Sequence, residues 1–151
     1  MIATKNKQNS GFSLIEILGV ITVISIIALV ILPVYTKIKP TLNLNTETRD
    51  MASDLRLAQQ LSVTEQINYA VVFDQNANQY SIINTDTSEI IKTKNINPAI
   101  SINSINDLTD NTAIFNVTGA ATENGSIVLI NSNNSISTIS IKPSGYVKIE
   151  Q

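Results

Sequence analysis

From Phe12 to Leu32 the chain is apolar and carries one formal charge, Glu16. As a helix these 21 residues extend about 31 Å, enough to span the hydrocarbon core of a bilayer. A secretory signal has a shorter apolar region and a small-x-small cleavage site. Val30-Ile31-Leu32-Pro33-Val34-Tyr35 offers no such site. A plain anchor leaves Glu16 unexplained, because a lipid-facing carboxylate is costly near the membrane centre. Glu16 lies four residues, roughly 6 Å of helix rise, from Phe12. Its cost is eased near the interface and relieved fully only by a cation.

Past the span the helical period resumes. Pro33 and Pro40 each remove a backbone donor, and a kink rather than a stop is expected at Pro33. Met51, Leu55, Ala58 and Leu61 fall on one helical face, while Asp50, Asp54, Arg56, Gln60 and Glu65 fall largely elsewhere. Asn45 or Thr46 is a candidate cap for a restarted helix with Glu47 in its first turn. An amphipathic helix is expected to about Gln66. If it continues the span, residues 12–66 form a rod of roughly 80 Å.

From Asn68 the pattern becomes short β-branched runs between Asn, Asp, Ser, Gly and Pro clusters. Strands are expected at Tyr69–Asp74, Gln79–Asn84, Glu89–Thr93, Ala99–Asn103, Ala113–Val117, Ser126–Asn131, Ile136–Lys142 and Tyr146–Glu150. Residues 69–73 and 127–130 are apolar on both faces and read as central strands. Ile139-Ser140-Ile141 and Val147-Lys148-Ile149 alternate, so one face is wet. Asn131 to Asn134 reads as a hairpin loop, and Lys142-Pro143-Ser144-Gly145 as a turn. The expected fold is α+β: a long apolar N-terminal helix packed on an antiparallel sheet or small β-sandwich.

Gly11-Phe12-Ser13-Leu14-Ile15-Glu16 and the apolar run after it resemble the leader junction of type IV prepilins and pseudopilins. The resemblance implies cleavage after Gly11 by a prepilin peptidase on the cytoplasmic face and N-methylation of the new terminus, Phe12. It implies that Glu16 pairs with the terminal amine of a neighbouring subunit. A methylated amine remains a cation, so such a pair can persist in lipid. Pro33 stands at the family's usual proline position, whereas Ser25 stands where many pilins have glycine. The carboxy half, Phe115-Asn116-Val117-Thr118-Gly119, Gly125 to Leu129 and Ile139 to Val147, is similar to GspH/FimT-type minor pseudopilins. Ala52 to Gln66 is also similar, with Gln59 where arginine is common. The implied division is a leader at 1–11, a membrane and filament-core helix at 12–33, an amphipathic continuation at 34–66 and an extracytoplasmic β-rich domain at 67–151.

Charge and composition narrow the function. The 151-residue chain has a formal net charge of −2. Loss of residues 1–11 takes away Lys5 and Lys7 and leaves 8 basic against 12 acidic side chains, net −4. Nucleic acid calls for a basic surface, so a nucleic-acid partner is not expected. There is no Cys and no His, which excludes thiolate and imidazole metal sites and His-activated nucleophiles. No nucleophile, base and orienting group can be assembled, so neither an enzyme nor a cofactor is expected. Asp74-Gln75-Asn76-Ala77-Asn78-Gln79 opens like a calcium loop but lacks Gly at its sixth position and Glu at its twelfth, where Thr85 stands; a hairpin turn is expected. Asp107 and Asp110 read as a solvated loop, and Lys142 and Lys148 as solvated strand residues.

The resulting expectation is a structural minor pseudopilin of a type II secretion pseudopilus or a type IV pilus. The alternatives are a major type IV pilin and a DNA-uptake minor pilin. The implied partners are other pilin or pseudopilin subunits, the prepilin peptidase, an inner-membrane assembly platform and, before assembly, membrane lipid. The implied location is the bacterial inner membrane, single-pass, with the N-terminus cytoplasmic; Lys5 and Lys7 agree with that side, although Lys37 and Lys39 nearly balance them.

Overall fold

A computed structural model describes residues 12–150 of the chain. One α-helix, α1, runs Leu14–Glu65. Eight strands follow: β1 Tyr69–Asp74, β2 Gln79–Asn84, β3 Ile90–Asn95, β4 Ile100–Asn106, β5 Thr112–Phe115, β6 Gly125–Asn131, β7 Ile136–Ile141 and β8 Val147–Glu150. A short 3-10 turn, Thr109–Asn111, precedes β5. The chain divides after Lys37 into two compact units.

In the first unit every large apolar side chain from Phe12 to Val34 is exposed. Contiguous apolar surface of this extent requires lipid or other apolar chains against it. Two of its hydroxyls bond back to the helix itself. Thr22 Oγ1 donates to Leu18 O at 2.8 Å, and Ser25 Oγ to Ile21 O at 2.8 Å.

In the second unit α1 contributes Leu44, Met51, Ala52, Leu55 and Ala58 to a core shared with both sheets. The expected stripe is confirmed at Met51, Leu55 and Ala58, while Leu61 is only partly buried. One sheet has the order β3-β2-β1-β5 and the other β4-β6-β7-β8. All pairings are antiparallel. Tyr69, Val71 and Phe73 of β1 face inward beside Tyr80 and Ile82 of β2. From the second sheet come Ile100, Ile127, Leu129, Ile139, Ile141 and Val147.

Both strands read as central, β1 and β6, are central. In β6, however, Val128 and Ile130 are only half-buried, because nothing comparable to the core covers the outer face. Strand ends moved by a few residues. β3 and β4 extend to Asn95 and Asn106, and β5 ends at Phe115 rather than Val117. There the side chain of Asn116 accepts from the backbone N–H of Thr118 and Ala120, which turns the chain. Tyr146 lies outside β8 and is exposed.

The restarted helix is corrected. α1 is unbroken through Pro33, Pro40 and Thr46, and Thr46 Oγ1 bonds back to Leu42 O rather than capping. Each proline costs one backbone bond without ending the helix, which propagates cooperatively through both. Asp54 is a second correction: it sits on the buried side.

Candidate assembly site

The first turn of α1 begins with Ser13. Its Oγ accepts from the backbone N–H of Glu16 at 3.3 Å, and its carbonyl accepts from the N–H of Glu16 and Ile17. Ser13 is thus the N-cap and Glu16 the third helical residue, the S-x-x-E spacing of a capping box. That spacing is visible in the sequence and escaped the sequence reading. A carboxylate here also meets the positive end of the helix dipole. Phe12 and Ser13 lie outside the helix.

Phe12, Glu16, Ile17, Val20 and Ile21 line one open groove of ≈ 330 Å³. The Glu16 carboxylate has no hydrogen bond or ion pair among the described residues. The structure therefore brings Phe12 and Glu16 together on an apolar surface and leaves the carboxylate open to an incoming cation. Gly11, the other half of the expected cleavage junction, lies outside the described residues. Pro33 is distant in sequence from this groove and lies within α1.

The second unit holds its charges differently. Asp54, buried, accepts from Tyr80 Oη at 2.7 Å and from Lys92 Nζ at 2.7 and 2.8 Å. Burial, then the bond to Asp54, pushes the Tyr80 hydroxyl well above its ordinary range. Lys94 bonds Asp50 and lies 3.6 Å from Glu47. Burial alone would lower the Lys94 pKa, but the bond to Asp50 and the charges of Glu47, Asp50 and Asp54 together raise it. These contacts fasten α1 to β3.

The other sequence candidates are scattered. Asp74 Oδ1 accepts from the N–H of Asn76 and Ala77, which makes the 74–79 segment the tight turn between β1 and β2. Asp107 and Asp110 both adopt left-handed backbone, with φ of 58° and 51°. Among the described residues, no group of three acidic side chains is placed to hold a metal ion. Lys148 pairs with Glu150 at 3.1 Å.

A family model for the prokaryotic N-terminal methylation motif matches residues 6–32. A comparison with curated proteins returns no match. Among solved structures, the chain is similar to the minor pseudopilin EpsH from the type 2 secretion system of Vibrio cholerae, at 6% identity and a TM-score of 0.61, over 72% of this chain and 96% of that one. It is also similar to the type IV minor pilin FimU of Pseudomonas aeruginosa, at 10% identity and a TM-score of 0.59, over 72% of this chain and 88% of that one. Those likenesses establish the fold: one long N-terminal helix followed by two four-stranded antiparallel sheets. A second family model, described as type II transport protein GspH, matches residues 47–145, most of the chain, and the chain belongs to that family.

Proposed function

We propose that the chain is a minor pseudopilin, a non-catalytic subunit held in the membrane by its apolar helix and built into a type II secretion pseudopilus or a type IV pilus. The observation that carries this reading is the Phe12/Glu16 groove at the head of an exposed apolar helix, joined to a GspH domain. In this reading residues 1–11 are the leader, residues 12–33 the membrane and filament-core segment, and residues 34–66 its amphipathic continuation. Residues 67–151 are the extracytoplasmic domain. A prepilin peptidase on the cytoplasmic face of the inner membrane cuts between Gly11 and Phe12. Phe12 is then N-methylated, and an assembly platform in the same membrane delivers the subunit to its neighbours.

Chemistry gives each residue a distinct task. Glycine at position 11 brings no side chain to obstruct the cut. Cleavage converts the Phe12 amide into an amine, and methylation keeps that amine a cation. Glu16 of an adjacent subunit supplies the anion that lets it enter an apolar packing. Pro33 removes one helical bond near the end of the span, a point where the helix yields during packing. The pairing of Lys148 with Glu150 and the net charge of −4 after cleavage disfavour a DNA-capture role.

Intact-mass measurement of the membrane-extracted protein tests the reading. The expected mass lacks residues 1–11 and carries one methyl group. A full-length species in cells with active peptidase overturns it, and Gly11→Val is expected to block the cut.

A further inference from the structure

The inner face of the second sheet is polar at one end. β6 turns Ile127, Leu129 and Asn131 inward, and β7 turns Ser137, Ile139 and Ile141 inward. Asn131 is 4% exposed and Ser137 1%. Leu129 pairs with Ser137 and Ile130 with Ile136, so Asn131 and Ser137 are diagonal neighbours on that face. Such neighbours stand about 7–8 Å apart at the backbone.

The loop after β6 fixes which way the Asn131 amide points. Its Oδ1 accepts from the backbone N–H of Asn133 and of Ser135, each at 2.9 Å. The oxygen end is thereby assigned, and Nδ2, a donor only, is turned away from those bonds. Among the described residues Nδ2 has no acceptor, although it is buried. Ser137 Oγ, one strand over, is buried without a partner too, and the two do not bond each other. Leaving a buried donor unmet is costly, and native cores meet it with protein or with ordered water.

We infer that one buried water bridges Asn131 Nδ2 and Ser137 Oγ and ties the 131–135 hairpin loop to the core. The water accepts from Nδ2 and donates to Oγ. Two bonds of about 2.9 Å match the gap that two short side chains leave across a diagonal. The donor set selects water over an ion. A metal cation would face the N–H groups of Nδ2. An anion would suit both donors but would be a lone charge beside the buried Leu129 and Ile139. A third buried atom without a partner, Asn78 Oδ1, falls outside the bridge. Its amide is held by Ile100 O at 2.7 Å, on β4, the neighbour of β6 on the side away from β7. With the water in place the Asn131 amide is held at both ends, one by the loop backbone and one by the sheet. Nothing in this depends on the subunit reading.

A crystal structure of the full-length chain in detergent tests the bridge. The expected result is a density peak of the weight of water within hydrogen-bonding distance of both Asn131 Nδ2 and Ser137 Oγ. A direct Nδ2–Oγ bond, another protein atom in that place, a heavier ion or no peak overturns it. Hydrogen exchange on the same full-length protein reads the consequence. Ser137→Ala removes one of the two groups that hold the water. It is expected to speed exchange of the Asn133 and Ser135 amides, both bonded to Asn131 Oδ1, about fivefold. Ile127, on β6 away from the bridge, is the control for general loosening and is expected to change less. An equal change at Asn133 and Ile127, or no change at either, overturns the tie between loop and core.

Discussion

Asp54 on α1 holds Lys92 on β3 at 2.7 Å across 38 positions of sequence. The same carboxylate accepts from the Tyr80 hydroxyl on β2. One helix residue therefore fixes the place of two neighbouring strands. Asp54→Asn keeps the shape and removes the charge, and is expected to cost about 2 kcal/mol. Tyr80→Phe, which removes only one donor, is expected to cost about 1 kcal/mol. Urea unfolding of the two variants checks the order; equal losses would mean that the charge adds nothing.

Residues 41–151 are expected to be soluble and to unfold cooperatively without the span, because the shared core lies wholly within them. Leu55 is fully buried at its centre. Leu55→Ala should cost about 2–5 kcal/mol. A broad, non-cooperative transition in the truncated protein would show that the span is required for folding.

Stability is expected to decline on the alkaline side. Tyr80 and Lys94 both have folded-state pKa values above their ordinary 10.0 and 10.5. The folded protein then retains protons that the unfolded chain releases, so their contribution is full below about pH 10 and falls as pH rises past it. Thermal scans from pH 8 to 11 check this. Tyr80→Phe removes the Tyr80 part of the decline and leaves the parts of Lys94 and of Tyr69, whose bond to Glu65 also raises its pKa.

Gly145→Ala is expected to be among the most damaging single changes. Gly145 has φ of +80°, and an added Cβ would sit 1.9 Å from Gly119 O. That oxygen is already bonded by Gln59 Nε2 at 2.7 Å. Left-handed strain and a backbone clash together are expected to cost about 3 kcal/mol or more. A loss under about 1 kcal/mol, the usual glycine-to-alanine scale, would show that the turn between β7 and β8 shifts freely.

Glu16→Gln is expected to leave processing intact and to abolish incorporation. On the proposed reading, the peptidase acts before any neighbour is present. Assembly, on that reading, places each new Phe12 amine against a carboxylate, and removing one partner of a buried pair costs about 3–5 kcal/mol. Intact mass reports the first step, and sheared-filament or cross-linking assays report the second. Normal incorporation of the variant would show that Glu16 is tolerated rather than used.

The parts of the fold legible in the sequence were those set by local pattern. β1 and β2 were placed to the residue because β-branched runs flank a turn whose Asp74 caps its own loop. Long-range facts were hidden. Asp54 reads as a surface carboxylate until Tyr80 and Lys92, 26 and 38 positions away, are brought to it. The return of β5 to pair with β1, leaving β4 in the other sheet, has no local signal. At the N-terminus, the placing of Phe12 and Glu16 at the head of one exposed apolar helix was legible because the apolar run is unbroken in the sequence. Ser13 was overlooked because its role lies in the backbone bond it accepts rather than in its polarity.

Ser13 also separates two events that share six residues. Among the described residues, Ser13 itself caps the first turn of α1. On the proposed reading, the cut between Gly11 and Phe12 falls ahead of that cap and leaves it with the helix. Phe12, on the far side of the cap, gives up no helical bond when its nitrogen changes from amide to amine. If the chain is cut there, as proposed, the helix keeps its own start. A Ser13→Ala chain would couple the two, letting the start of the helix drift relative to the bond that is broken.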